Sequence, residues 1–215
     1  MATRTHHAYL PGMGHDRLLP LYDIVQKWLG VPALHRVLVD LADLGNSRQT
    51  LEVGCGTGNL AILVKRLHPG TEMVGIDPDP RALERASDKA GHAVRVRFDQ
   101  GYGQDLPYPD ASFDRVLSAF MFHHLEPDVK GRTLQEILRV LRPGGALYLV
   151  DFGGLVTGSD GFMARLQMRS SRLRDNFGDG IPSRLRGAGF TDIAELAHRV
   201  GRVGRVTYYR AEAPT

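Results

Sequence analysis

Four acid and glycine positions fall at a regular spacing in the run TLEVGCGTGNLA. Glu52 leads, and Gly54, Gly56 and Gly58 follow at alternate positions after a short apolar stretch. Glycines at that spacing permit a tight turn, and a turn that opens a helix lets a ligand lie against backbone N–H groups. Position 59 is Asn, so the dinucleotide pattern GxGxxG is not met. About 20 residues on, VGIDPDP places Asp77 at the end of a second apolar run, where a carboxylate accepts the paired hydroxyls of a ribose. A purely structural glycine turn is the competing reading, and Glu52 and Asp77 together weigh against it. A third cluster, SAFMFHHL, brings His123 and His124 just past another apolar run. A neutral imidazole, with an unperturbed pKa near 6.5, can take a proton from a hydroxyl or an acidic carbon at pH 7. Both histidines qualify by position, with a slight preference for His123. The competing reading is an edge histidine bonded to backbone or water.

These residues need a scaffold, and the order of elements supplies one. Leu18, Leu19, Leu21, Ile24, Val25, Trp28 and then Leu34, Val37, Leu38, Leu41 fall at helical spacing, interrupted at Gly30 to Pro32. That predicts an N-terminal helical cap over residues 1–45. TLEV, MVGI, VRVRF, FDRVLSAF and ALYLVDF then alternate with helical segments that end near Leu67, Ala90 and Leu141. Apolar strands alternating with helices imply a parallel sheet covered on both faces, since each right-handed crossover needs a helix to return the chain. TDIAELAHRV and GRVTYYRAEA, joined around Gly201 to Gly204, read as a closing antiparallel hairpin. The predicted class is α/β: a doubly wound, Rossmann-like seven-stranded sheet over residues 46–215, with 153–180 as an insertion beside a ligand site. The glycine turn, Asp77 and the histidines all fall at the carboxyl edge of such a sheet, where doubly wound folds bind ligands.

Composition narrows the function. The chain has 215 residues, 42% hydrophobic and 24% charged, enough for one core. A single cysteine, Cys55, excludes an internal disulfide and a cysteine-rich metal site and fits a reducing compartment, so the cytoplasm is expected. No segment reaches the roughly 18 to 20 uncharged apolar residues of a membrane span, and the N-terminal residues lack the apolar core of a signal peptide. A net charge of +3 is only mildly basic and argues against a nucleic-acid partner. No metal site is expected.

LEVGCGTG, VGIDPDP, QDLPYPDASFDRVLSAFMFHHL and LQEILRVLRPGGALYLVDF followed by LRGAGF, in that order, resemble the class I S-adenosylmethionine-dependent methyltransferases. The likeness is to the subgroup typified by ubiquinone and menaquinone biosynthesis. It implies S-adenosyl-L-methionine as cofactor and a small-molecule methyl acceptor, with an oxygen or carbon nucleophile favoured. By resemblance, Glu52, Gly54, Cys55, Gly56 and Gly58 hold the methionine part, and Asp77 with Pro78 holds the ribose. Tyr22 closes over the cofactor, and Ser118 and Ala119 lie near its amino group. One motif departs: the family usually has Gly-Asp-Ala-x-x-Leu-Pro, whereas this chain reads Gly101-Tyr102-Gly103-Gln104-Asp105-Leu106-Pro107. The Gly103 amide and the Tyr102 ring are the remaining adenine contacts.

Other members of the wider class are disfavoured. Ser118-Ala119-Phe120-Met121 is not the Asn/Asp-Pro-Pro-Tyr of nucleic-acid N-methyltransferases, one cysteine cannot serve arsenite, and no acid cluster resembles a catechol-type magnesium site. Phe162, Leu166, Leu173 and Phe177, with Met163 and Met168, are candidates for the acceptor pocket or for core packing. Arg165, Arg169 and Arg172 share one helical face, either solvated or facing an anionic acceptor or membrane surface. The alternative from another class is a non-catalytic module that binds S-adenosylmethionine or S-adenosylhomocysteine.

Overall fold

The computed structural model describes residues 28–92, 94–156, 171–201 and 204–215. Tyr22, the first helix of the expected cap, Phe162, Met163, Arg165, Leu166, Met168 and Arg169 lie outside the described residues, as does the side chain of Arg172.

Seven strands form one mixed sheet in the order β3-β2-β1-β4-β5-β7-β6. They are β1 (Gln49–Val53), β2 (Glu72–Asp77), β3 (Val96–Gln100), β4 (Phe113–Ala119), β5 (Leu141–Phe152), β6 (Thr191–Gly201) and β7 (Gly204–Glu212). β1 to β5 are parallel, and β7 runs antiparallel to both β5 and β6. This is the expected doubly wound sheet with its closing hairpin. The strand order reverses between β1 and β4, so their carboxyl ends flank the crevice in which such sheets hold ligands.

The helices are α1 (Val31–Leu41), α2 (Asn59–Leu67), α3 (Pro80–Ala90), α4 (Pro127–Val140), the single turn α5 (Ser171–Arg174) and α6 (Gly180–Ala188). Side-chain alternation in the central strands feeds two apolar layers. Leu51, Val53, Val116, Leu147 and Leu149 pack with Leu134, Ile137, Ile181 and Leu185 of α4 and α6. On the other face Leu117, Tyr148 and Val150 pack with Leu38 and Val39 of α1 and Leu60 and Val64 of α2. Each fully buried aliphatic side chain contributes about 1.5 to 3 kcal/mol relative to exposure. The Tyr208 hydroxyl donates to Leu34 O at 3.1 Å, which docks α1 on β7.

Two boundaries differ from the sequence expectation. β3 begins at Val96 rather than Val94, because Arg95 takes a left-handed conformation with φ 65 and hands its carbonyl to the Met73 amide. β5 begins at Leu141 rather than Ala146. It enters through Pro143-Gly144-Gly145 with a register shift against β4, which Gly144 permits at φ 71.

Candidate active site

The glycine turn leaves β1 and enters α2 with φ 78 at Gly54, 49 at Gly56 and 75 at Gly58, a region closed to most side chains. The three glycines meet different surroundings. A Cβ on Gly54 would stand 2.2 Å from Met121 Cγ, and one on Gly58 would stand 2.8 Å from Ala86 Cβ and 2.9 Å from Phe98 Cζ. Gly54 thus admits Met121, and Gly58 lets α3 and β3 close on the turn. Above Gly56 no atom of the described residues other than Gly56 and its two chain neighbours lies within 4 Å of that point.

The turn amides are tied inward. Gly54 and Cys55 donate to Ile76 O at 2.9 and 3.1 Å, and Gly56 donates to Asp77 Oδ2 at 2.8 Å. Asp77 therefore braces the loop from β2, and its Oδ1 also accepts from the Asp79 amide at 3.0 Å. Each carboxylate oxygen keeps a second lone pair for a hydroxyl. Burial raises the Asp77 carboxyl above its ordinary value, and these two amides act in the opposite direction. Pro78 leads to Asp79, which caps α3 through the Arg81 amide.

Glu52 lies under the turn at 3% exposure. Its carboxyl bonds the Ala61 amide, and its Oε2 has no hydrogen-bond partner among the described residues. Burial, and secondarily the Asp77 charge, pushes this carboxyl well above the usual range. Cys55 is buried beside it, its sulfur 2.8 Å from where a Gly75 Cβ would be. Ser118 is buried at the end of β4 with an unpartnered Oγ, next to partly buried Ala119. The orphaned oxygen on Glu52 under the turn, with the open space over Gly56, is what a site for a polar ligand with an amino-acid part requires, whereas Ser118 points to the opposite face of the sheet, with Val116. The residues present therefore fit the cofactor. Tyr102 and Gly103 follow β3, with Tyr102 bridged to Asp105 and Gly103 packed close to Thr133 and Val53.

Past β4, Phe120 adopts φ 55, an outlier for a bulky residue, and the chain then turns through a 3₁₀ segment, Phe122–His124. This places His123 over the carboxyl end of β5. Its Nδ1 lies 2.7 Å from Asp151 Oδ1, and its backbone amide donates to Asp151 Oδ2 at 3.2 Å. Asp151 is fully buried, and the imidazole is 14% exposed, in edge contact with the Phe152 ring at 4.9 Å between ring centres. An ionised carboxylate has only acceptors, so Nδ1 carries the proton in the neutral ring and Nε2 is left as a base. His124 stacks on His123 at 4.0 Å but is exposed. Sequence reasoning missed Asp151. Its signal was present: a lone acid closing an apolar strand, as Asp77 closes β2. Leu173 and Phe177, the described members of the expected acceptor pocket, lie in the segment that returns to β5, where Phe177 bridges Gly154.

Among the described residues no group of three or more His, Cys, Asp or Glu side chains is arranged to hold a metal ion.

Residues 50–145 match the family described as Methyltransferase domain. The demethylmenaquinone methyltransferase of Deinococcus radiodurans is 40% identical over 153 residues, 69% of this chain and 63% of that protein. The demethylmenaquinone methyltransferase of Thermus thermophilus is 36% identical over 155 residues, 70% of each chain. The chain thus spans just under two thirds of the first relative's length. Human N-acetylserotonin methyltransferase, solved with S-adenosylmethionine, shares the fold at TM-score 0.71 and 20% identity, over 92% of this chain and 56% of that one. With these relatives and this glycine-turn site, the chain belongs to the class I S-adenosylmethionine-dependent methyltransferases of the ubiquinone/menaquinone type.

Proposed function

We propose that the protein transfers a methyl group to an oxygen or activated carbon of a small molecule, with His123 taking the acceptor's proton. The observation that carries this reading is the His123–Asp151 pair at the same sheet edge as the glycine turn. Glu52, Gly54, Cys55, Gly56 and Gly58 would hold the methionine part of the cofactor, Asp77 and Pro78 the ribose, Ser118 and Ala119 the region of the amino group, and Tyr102 and Gly103 the adenine. Tyr22 joins them as a closing residue. When bound, the cofactor supplies an already activated sulfonium methyl.

What is left to the protein is alignment, exclusion of water and removal of one proton. Orientation contributes roughly 7 to 11 kcal/mol and a base about 10² to 10⁴-fold. Asp151 fixes the tautomer, so Nε2 would take the proton as the acceptor's nucleophile bonds the methyl carbon, whose bond to sulfur breaks with its electron pair staying on the sulfur. The relatives' names favour a quinone-type ring as acceptor, reduced so that it offers an acidic carbon or hydroxyl.

A non-catalytic cofactor-binding module is the second reading, motivated by Tyr102 at the position of the family's acid. A binder has no use for an imidazole held in one tautomer by a buried carboxylate. We further propose that the protein works in the cytoplasm without a nucleic-acid partner. The support is one cysteine and a mild net charge of +3. Among the described residues no helix is long and apolar enough to cross a membrane.

The test is methyl transfer from labelled cofactor to a metabolite panel that includes demethylated quinols. His123→Gln is expected to reduce turnover by roughly 10² to 10⁴-fold while cofactor affinity stays within about threefold. A loss below threefold retires the base in favour of alignment alone, and tight cofactor binding with no methylated product favours the binder.

A further inference from the structure

At the amino ends of the strands, opposite the edge that carries the glycine turn, lies a cleft of about 530 Å³ lined by Arg48, Gln49, Gly70, Glu72, Arg95 and Arg142. That volume is in the range that holds small organic ligands, about 300 to 1,000 Å³. β1, five residues long, keeps it about 16 Å from the turn.

The arginines reach the cleft from three elements. Arg48 immediately precedes β1, Arg95 immediately precedes β3, and Arg142 is the second residue of β5. Asp114 organises them: its Oδ2 accepts from the Arg48 and Gln49 amides at 2.8 and 2.9 Å, and its Oδ1 accepts from Arg142 Nη1 at 2.5 Å. Arg142 also donates through Nη2 to Gln49 Oε1 at 3.1 Å and through Nε to Ala111 O at 3.2 Å, which leaves two of its five N–H groups available. Arg95 uses one, on Gly70 O at 3.3 Å. The exposed Arg48 guanidinium makes no hydrogen bond or ion pair with any described residue.

Backbone strain is a second, independent observation. Arg95 holds φ 65, a left-handed conformation that a glycine adopts freely and a long side chain does not. Strain of that kind collects at ligand clamps, where the side chain it directs is needed. The charge balance points the same way. Three guanidinium groups, with the Lys65 ammonium bonded to Pro69 O and Thr71 O on either side of Gly70, stand against only two carboxylates, Glu72 and Asp114. Guanidinium forks match pairs of oxyanion oxygens. A carboxylate has one such pair, whereas a phosphate monoester offers three terminal oxygens and about −1.5 to −2 charge, and so can be met from several elements at once.

We propose that this cleft is a second ligand site, which takes a phosphate monoester group between Arg48 and Arg95, with Arg142 as the cation held in place by Asp114. It shares no residue with the glycine-turn site, so it stands independently of the methyl-transfer reading.

The test is calorimetry of the full chain with glycerol 3-phosphate at about 0.15 M ionic strength. S-adenosylhomocysteine is present throughout, so that an anion drawn to the glycine turn is not counted. Saturable binding at roughly millimolar levels is expected. Arg48→Ala removes no hydrogen bond or ion pair, and Arg95→Gly suits φ 65, so both variants should fold. Each should weaken phosphate binding about tenfold while S-adenosylhomocysteine affinity stays within about threefold of the parent. Co-sedimentation of the same three proteins with phosphatidylcholine vesicles carrying phosphatidic acid separates the two sources of such a group. Arginine-dependent heat without sedimentation puts the phosphate on a soluble molecule, and arginine-dependent sedimentation puts it on a lipid headgroup. Neither response, or a response that both variants keep in full, overturns the proposal.

Discussion

The two halves of the site are built by different means. On the cofactor side the positions are set by backbone: three positive-φ glycines, amides tied to Ile76 and Asp77, and helix caps a few residues away. On the proposed acceptor side they are set by buried polar side chains meeting across the fold, His123 with Asp151 28 residues on and Lys130 with Asn176 46 residues on. Where backbone does the holding a side chain can change without moving it, and the proposed adenine contact through the Gly103 amide is of that kind beside Tyr102. The second half tolerates little, because a buried charge that loses its partner keeps its desolvation cost.

The sharpest way to break the contrast is at Gly54. A valine there meets a forbidden φ of 78 and a Met121 carbon 2.2 Å from its Cβ. We expect Gly54→Val to cost about 3 to 5 kcal/mol in stability. Denaturant unfolding checks this, and a cost below about 1 kcal/mol means that the turn is not set by its backbone. A companion Met121→Gly, which also removes the Met121 Cβ that would stand 2.6 Å away, should relieve the steric part and leave the strain in φ.

A pH scan probes a buried titratable side chain that belongs to neither half. His35 on α1 is buried, with Phe120 at 6.2 Å, and burial lowers its pKa from 6.5 to about 4. The unfolded chain therefore binds a proton between those values that the folded chain refuses, so stability falls as pH drops through that window, by about 3 kcal/mol from this residue. The contribution is fully present above pH 6.5 and fully lost below about 4. Comparing unfolding of the parent and His35→Leu at pH 7 and pH 4.5 isolates it. Equal acid sensitivity in both assigns the loss to other groups.

The smallest expected effect sharpens the first half. Asp77→Ala removes both the brace on Gly56 and the proposed ribose acceptor, and cofactor binding should weaken by about 1 to 3 kcal/mol. Calorimetry with S-adenosylhomocysteine measures it. Unchanged affinity with lowered thermal stability means that Asp77 only braces the turn.

The legibility of this protein follows the same division. The glycine turn, the strand-end Asp77 and the alternation of elements could be read directly, because each depends on residues within one turn or one strand. The placement of β7 between β5 and β6, and the two-residue delay of β3, depended on pairing partners far along the chain. Of the two adjacent histidines, sequence gave nearly equal claims. Asp151 distinguishes them, since the 3₁₀ turn after the strained Phe120 brings His123 to it and leaves His124 exposed. Lys130 reads in the chain as one more polar residue of an amphipathic helix, and Asn176 as one more turn residue. Local pattern specifies backbone conformation and which face is apolar, because those depend on near neighbours. Which buried charge meets which partner was decided only when α4, β5 and the segment before α6 packed together, for the electrostatic worth of a side chain depends on what surrounds it in space.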